Sequence, residues 1–312
     1  MIETYLQPLP HGITLSCRAA GERGRPVLMF LHGFPEAAFV WDVLLAHFSR
    51  AENGGYRCVA PNLRGFEQSS APTDTGAYRP KYLVQDVAAL IEIETQGQGG
   101  QLACLVAHDW GGAVAWSLAN QLPHLARQLV IINSPHPGTF LRELKNNPAQ
   151  QAASAYMNFL IRPDAEQLLA QDDYRRLWEF LTATKSESGA RTPDWLTDEV
   201  KTQYRAVWDA GLSGGCNLYR ASPLRPARPA DPAAAAVDLP RAMLTVGLPT
   251  LVIWAMDDTA LLPGLIEGLD AYVEHLTIQT VAEASHWIVH EKPQQVAQFI
   301  ASFLRSNSLQ NS

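Results

Sequence analysis

Residue 109 is an aspartate at a turn where a side chain can be made reactive. The run Leu102-Ala103-Cys104-Leu105-Val106-Ala107 is continuously apolar and leads through His108 into Asp109-Trp110-Gly111-Gly112. A helical pattern begins at once, with Val114, Ala115, Leu118 and Leu122 at helical spacing. Small residues at Ala107 and Gly111 let the chain turn sharply enough to lift one side chain above a sheet, as in a nucleophile elbow. A carboxylate raised in this way can attack an electrophilic carbon and form an ester, which water and a second base must then cleave. The helix that follows aims its first backbone N–H groups at the same spot. The plainer alternative is that Asp109 only caps that helix, a common use of aspartate.

Two later segments supply what the chemistry would need. An elbow nucleophile is followed along the chain by an acid and then a histidine. The apolar run Thr250-Leu251-Val252-Ile253-Trp254 leads into Ala255-Met256-Asp257-Asp258, and Leu276-Thr277-Ile278-Gln279-Thr280 leads to Ala284-Ser285-His286-Trp287. Nucleophile, carboxylate and histidine thus occur in the required order. Of nine histidines, His286 directly follows the last strand and takes the base role. His290 is its rival, but it already begins the last helical stretch. His32 and His108 read as structural groups at strand ends, and His11, His47, His124 and His275 as surface residues.

These residues need elements to hold them. Val27-Leu28-Met29-Phe30-Leu31, Arg57-Cys58-Val59-Ala60 and Gln128-Leu129-Val130-Ile131-Ile132-Asn133 are further strand-like runs. Apolar strands alternating with helices predict βαβ units, a mostly parallel sheet and ligands beyond the carboxyl ends of its strands. After residue 135 the pattern changes to amphipathic helical segments such as 173–183 and 194–210, then an Ala/Pro-rich tether over 223–240. Strand character returns near 250, and 293–304 reads as a final helix. The expected architecture is one α/β core, 1–135 with 248–312, carrying a helical cap and its tether over 136–247.

Composition excludes several classes. Among 312 residues, 47% are hydrophobic and 18% charged, with eight Trp, nine Tyr and ten Phe, enough for a sizeable core and incompatible with general disorder. Lys plus Arg number 24 against 31 Asp plus Glu, a formal net charge of −7. An acidic chain without a basic run is a poor partner for nucleic acid or an anionic membrane. No apolar stretch reaches the roughly 18 residues of a membrane span. The start shows no basic and apolar leader pattern, and Cys17, Cys58, Cys104 and Cys216 lack CxxC spacing, so a reducing cytoplasm is expected.

Over nearly its whole length the chain resembles the epoxide-hydrolase branch of the α/β-hydrolase family. His32-Gly33-Phe34-Pro35 is similar to a His-Gly-x-Pro motif, His108-Asp109-Trp110-Gly111-Gly112 to the nucleophile motif, and Ser285-His286-Trp287 followed by Glu291-Lys292-Pro293 to the histidine segment. The resemblance implies a cis Phe34–Pro35 bond, an oxyanion hole from the Phe34 and Trp110 N–H groups, and Asp258 rather than Asp257 as the acid. It also implies that Tyr156 and Tyr219 lie in the cap and donate to the epoxide oxygen, because their surroundings match the two lid-tyrosine segments. Ala107 stands where Gly is more usual. Asn62 and Glu67 depart from the Asp and Gly of the family's loop, which would leave Arg64 without its usual carboxylate partner.

The expected reaction is hydrolysis of an apolar epoxide to a vicinal diol through an ester on Asp109. Phe34, Trp110, Phe140, Phe159, Leu160 and Trp287 are the expected pocket residues, and the partners are the epoxide and water, with homodimerisation left open. No cofactor or metal is expected, since HExxH, P-loop and GxGxxG motifs are all missing. The rivals are a haloalkane or haloacid dehalogenase built on the same Asp nucleophile and, from another class, a non-catalytic binding scaffold. Against the dehalogenases, Phe34 replaces a halide-binding Asn, and Trp110 and Ala113 replace carboxylate-clamping Arg residues.

Overall fold

The computed structural model describes residues 1–97, 99–183, 193–229 and 231–308. Eight strands form one sheet: β1 Glu3–Pro8, β2 Thr14–Ala20, β3 Val27–Leu31, β4 Arg57–Pro61, β5 Cys104–His108, β6 Leu129–Ile132, β7 Thr250–Ala255 and β8 Leu276–Val281. Their order is β1-β2-β4-β3-β5-β6-β7-β8. Only β2 runs against its neighbours. From β4 to β8 every pairing is parallel. Every residue of β3, β4, β5, β6 and β7 is buried, as expected for strands covered by helices on both faces. Their unbroken apolar runs therefore made them legible. The pair β1 and β2 was not expected. Polar residues interrupt both strands, and β1 is a largely exposed edge strand.

The core helices are α1 Asp42–Phe48, α2 Pro80–Glu94, α3 Asp109–Gln121 and, near the end of the chain, α10 Ile288–Glu291 and α11 Pro293–Ser308. Between β6 and β7 come α4 Pro137–Asn146, α5 Pro148–Ala153, α6 Tyr156–Leu160, α7 Ala165–Thr182, α8 Asp198–Ala210 and α9 Ser213–Ala221. The described residues of this stretch contribute no strand to the sheet. The starts follow capping chemistry: the Asn147 side chain accepts from the Ala149 and Gln150 N–H groups with Pro148 in the first turn, and Thr197 caps α8. The expected helix over 173–183 is the second half of α7. A break with positive φ at Asp172, Asp173 and Tyr174 divides α7 there. Part of the reading for 173–183 and for 194–210 abuts residues 184–192, outside the described residues.

This stretch is fastened to the core by side chains that bond backbone carbonyls. Trp208 on α8 donates its indole N–H to the Pro35 carbonyl at 2.8 Å, and Asn120 on α3 holds the Ala242 and Thr245 carbonyls. None of the described helices is long and apolar enough to cross a membrane.

Candidate active site

Asp109 sits at the junction of β5 and α3 with φ of +48°. A non-glycine residue there is strained, by about 1 kcal/mol or more, and persists only where its surroundings enforce it. The neighbouring glycines enforce it by letting backbone pass where a methyl group could not. A Cβ at Gly111 would meet the Leu31 carbonyl oxygen at 2.4 Å, and one at Gly112 would meet Ser134 at 2.3 Å. The Ser134 hydroxyl closes the turn by donating to the Asp109 carbonyl at 2.6 Å.

The two carboxylate oxygens of Asp109 have different neighbours. Oδ1 accepts the Phe34 N–H at 2.8 Å, from a loop where Phe34–Pro35 is cis. Oδ2 faces His286, whose Nε2 lies 3.7 Å away. The second expected donor, the Trp110 N–H, belongs to the first turn of α3, whose amides lack partners within the helix.

His286 is oriented from behind. Its Nδ1 lies 2.7 Å from Asp258 Oδ2. Asp258 is fully buried and takes three further hydrogen bonds, from the Asn133 side chain at 2.9 Å and from the Ala260 and Leu261 N–H groups at 2.8 and 2.9 Å. Burial alone would raise the carboxyl, but the His286 charge and these donors hold it below the usual range. For His286, burial pulls the pKa down, and the Asp258 charge, its hydrogen bond and the Asp109 charge together raise it to about 9. Asn133, at the end of β6 with φ of +37°, was missed by sequence reading. Its strand-end position was the available signal.

Tyr156 on α6 and Tyr219 on α9 lie over this centre. Their rings meet edge to face at 6.0 Å, and Tyr219 also packs edge-on against Trp110 at 4.9 Å and Phe34 at 5.6 Å. Burial above all, and the nearby Asp109 charge, push both phenols upward, so both are protonated donors at neutral pH. Asp109, Trp110, Phe140, Tyr156 and Tyr219 line one cavity with Leu224 and Leu261. Phe34, Phe159 and Leu160 instead line an adjoining apolar pocket, which shares Tyr156. Trp287 lines neither. It packs edge-on against His286 at 4.9 Å and against Phe180 of α7 at 5.5 Å.

A buried network lies behind the histidine loop. His108 contacts Glu36 Oε2 through Nδ1 at 3.1 Å and the His286 carbonyl through Nε2 at 3.0 Å. The other Glu36 oxygen accepts from the Tyr204 hydroxyl at 2.8 Å and lies 3.1 Å from His290 Nε2. Burial would raise the Glu36 carboxyl, yet its two histidine partners hold it well below the ordinary range. His290, the rival base, is thus engaged with Glu36 and Tyr204 and stacked on Trp195. Glu36 went unread although it directly follows the His-Gly-Phe-Pro run.

Two expectations are corrected nearby. Arg64 does have a carboxylate: its Nε and Nη2 each bond Asp86 at 2.6 Å. Asp86 comes from α2, a partner that local sequence cannot reveal. His11 is not a free surface group, since its Nε2 lies 2.6 Å from the same Asp86. The unusual Asn62 and Glu67 compensate each other. The Asn62 amide donates to both Glu67 and Ser16 while its oxygen accepts from Ala38 N–H at 2.7 Å.

A strained turn that lifts Asp109 after a parallel strand, with Asp258 and His286 at later strand ends, defines an α/β hydrolase. The family model for the alpha/beta hydrolase fold matches residues 26–293, and the chain belongs to that family. It is 33% identical over 299 residues to the AB hydrolase superfamily protein YfhM of Bacillus subtilis (strain 168), covering 95% of this chain and 96% of that one. It is 29% identical over 307 residues to epoxide hydrolase 4 of Homo sapiens, covering 97% of this chain and 79% of the relative. Among solved structures, an epoxide hydrolase of the α/β-hydrolase superfamily from hot-environment metagenomes superposes with a TM-score of 0.82 at 34% identity, over 97% of this chain and 99% of its own. The Bacillus megaterium epoxide hydrolase with an inhibitor gives a TM-score of 0.82 at 27% identity, over 96% and 100%.

Proposed function

We propose that this protein is an epoxide hydrolase that opens an apolar epoxide through an ester on Asp109. The observation that carries the reading is the split surroundings of one carboxylate, with Oδ1 held by the Phe34 N–H and Oδ2 open toward His286 and the cavity. Oδ2 attacks an epoxide carbon. The carbon–oxygen bond breaks toward the oxygen, which takes a proton from Tyr156 or Tyr219. Water then attacks the ester carbon and gives its proton to His286 Nε2, while the charge that develops on Oδ1 is stabilised by the Phe34 and Trp110 N–H groups. Collapse expels the diol oxygen, which takes the proton back from His286, and the Asp109 carboxyl left behind returns its proton to the tyrosinate, so that both side chains are restored.

Asp258 keeps the His286 ring in register and balances its positive charge. Residues 136–247 act as a cap that supplies the tyrosines and closes an apolar cavity over the core formed by 1–135 and 248–312. Apolar lining favours an apolar substrate.

The test is an assay panel of styrene oxide, a chlorinated alkane and fluoroacetate with wild type and Asp109→Asn. Diol production that disappears in the variant supports the reading. Halide release without diol refutes it. In heavy-oxygen water under single turnover, the ester route delivers a diol whose new oxygen came from Asp109, so solvent label in the first diol also refutes it.

A further inference from the structure

Leu224 lines two cavities at once. One is the catalytic cavity holding Asp109, Tyr156 and Tyr219. The other is a separate, more polar pocket bounded by Leu144, Lys145, Gln151, Arg225 and Ala234. Helix α4 forms the second part of the boundary, presenting Phe140 to the catalytic side and Leu141, Leu144 and Lys145 to the other.

The segment carrying Leu224 is held in place rather than loose. Its N–H donates to the Ser222 hydroxyl at 3.2 Å. Arg225 donates to the Ser222 carbonyl at 2.7 Å and forks onto Asp231 at 2.8 and 2.7 Å. Asn158, beside Tyr156 on α6, donates to the Pro226 carbonyl at 3.2 Å. The backbone that carries the side chain is thus held, and Leu224 stands as an apolar wall between the catalytic cavity and a space whose described lining has two cations and no acidic residue.

Resting on the epoxide-hydrolase reading, we propose that Leu224 sets the length limit of the substrate. Behind it, in the space that Leu224 closes off, Lys145 and Arg225 offer cationic contacts that the anionic distal end of a longer epoxide reaches only once that wall is shortened. With Leu224 in place, a short epoxide fills the catalytic cavity and a longer chain meets the wall. Shortening the side chain joins the two spaces and brings a distal carboxylate toward Lys145, the cation that Asp231 does not neutralise.

The experiment compares kcat/KM for styrene oxide, a long neutral alkyl epoxide and an epoxide of equal length ending in a carboxylate. The enzymes are wild type, Leu224→Ala, Leu224→Val and Leu224→Ala with Lys145→Glu. The long-to-short ratio is expected to rise about tenfold or more in Leu224→Ala, and less in Leu224→Val, as a pocket lengthens by a few methylenes. Lys145→Glu in the Leu224→Ala background is expected to lower turnover of the carboxylate-ended epoxide and spare the neutral one. A ratio within twofold of wild type in both Leu224 variants overturns the length limit, and equal effects of Lys145→Glu on both long epoxides overturn the cationic subsite. Styrene oxide separates the two levels: a wild type that makes no diol from any epoxide defeats the functional reading itself, whereas diol with an unmoved ratio defeats only this proposal.

Discussion

The Nε2 atom of His286 lies 3.7 Å from Oδ2 of Asp109, beyond hydrogen-bond reach, while its Nδ1 is bound to Asp258 at 2.7 Å. His286 is therefore tied to Asp258 and only loosely engaged with Asp109. The Asp109 charge nevertheless helps to hold the His286 pKa at about 9. Esterification removes that charge, so the proposed chemistry lowers the basicity of His286 in the step where a neutral imidazole is needed.

This gives a pH signature. Hydrolysis of the ester, followed by rapid quench, is expected to rise with pH toward a plateau with a midpoint below about 9. Ester formation, which needs no neutral His286, is expected not to show that rise. The stability effect has the opposite sense. The folded pKa of His286 exceeds its ordinary 6.5, so its contribution is complete below about pH 6.5 and is lost as pH climbs through about 9. Thermal unfolding between pH 6 and 9.5 checks this, and a Tm contribution from His286 that grows with pH would contradict it.

Asp258→Asn is expected to slow the hydrolytic step by about 10³-fold or more, because the histidine loses the partner that fixes its tautomer and orientation. Ester formation should continue. Mass spectrometry after mixing with styrene oxide is expected to show the substrate-sized adduct accumulating on Asp109; an unmodified protein would count against the assigned roles.

Removing the phenol hydroxyls is expected to act on the other half of the reaction. Tyr156→Phe or Tyr219→Phe should slow ring opening by roughly 10²-fold, the scale of one lost oxyanion donor, and the double variant further. Trp110 packs against Tyr219 at 4.9 Å, so stopped-flow tryptophan fluorescence can follow the step. Unchanged rates in the double variant would show that these are not the donors.

Gly33→Ala tests the crowding around the nucleophile. The new methyl carbon would lie 2.2 Å from Asp109 Oδ1, displacing the carboxylate from the Phe34 N–H. A loss of kcat on the order of 10²-fold is expected from a misplacement of about 1 Å, and steady-state diol production measures it.

Arg64→Ala is expected to destabilise the fold by about 3 kcal/mol, because Asp86 stays buried with its forked partner removed. Both side chains are 4% exposed, and His11 can replace only part of what is lost. Denaturant unfolding reads the change, and a cost below about 1 kcal/mol would mean that His11 suffices.

The sequence by itself determined the sheet interior, the nucleophile turn and the order of aspartate, acid and histidine. Buried parallel strands are written as unbroken apolar runs, and turn chemistry is local. Residues such as Val106, Ala107, Asp109 and Gly111 carry it within a few positions. The edge strand β1 and its antiparallel neighbour β2 escaped because polar residues interrupt both runs and leave a mixed pattern. What lay beyond the sequence were contacts between distant segments with no motif behind them: Asp86 reaching Arg64, Glu36 joining His108 to Tyr204 and His290, and Asn133 bracing Asp258. Tertiary structure alone decided that Trp287 supports the histidine instead of lining the cavity, and that Phe140 and Phe159 face different pockets. For Tyr204, Phe140 and Phe159 the partners depend on how the helices between β6 and β7 settle on the strand ends. For Arg64 with Asp86, Glu36 with His108 and Asn133 with Asp258 they depend on how core elements distant in sequence pack, and neither leaves a mark on any local pattern.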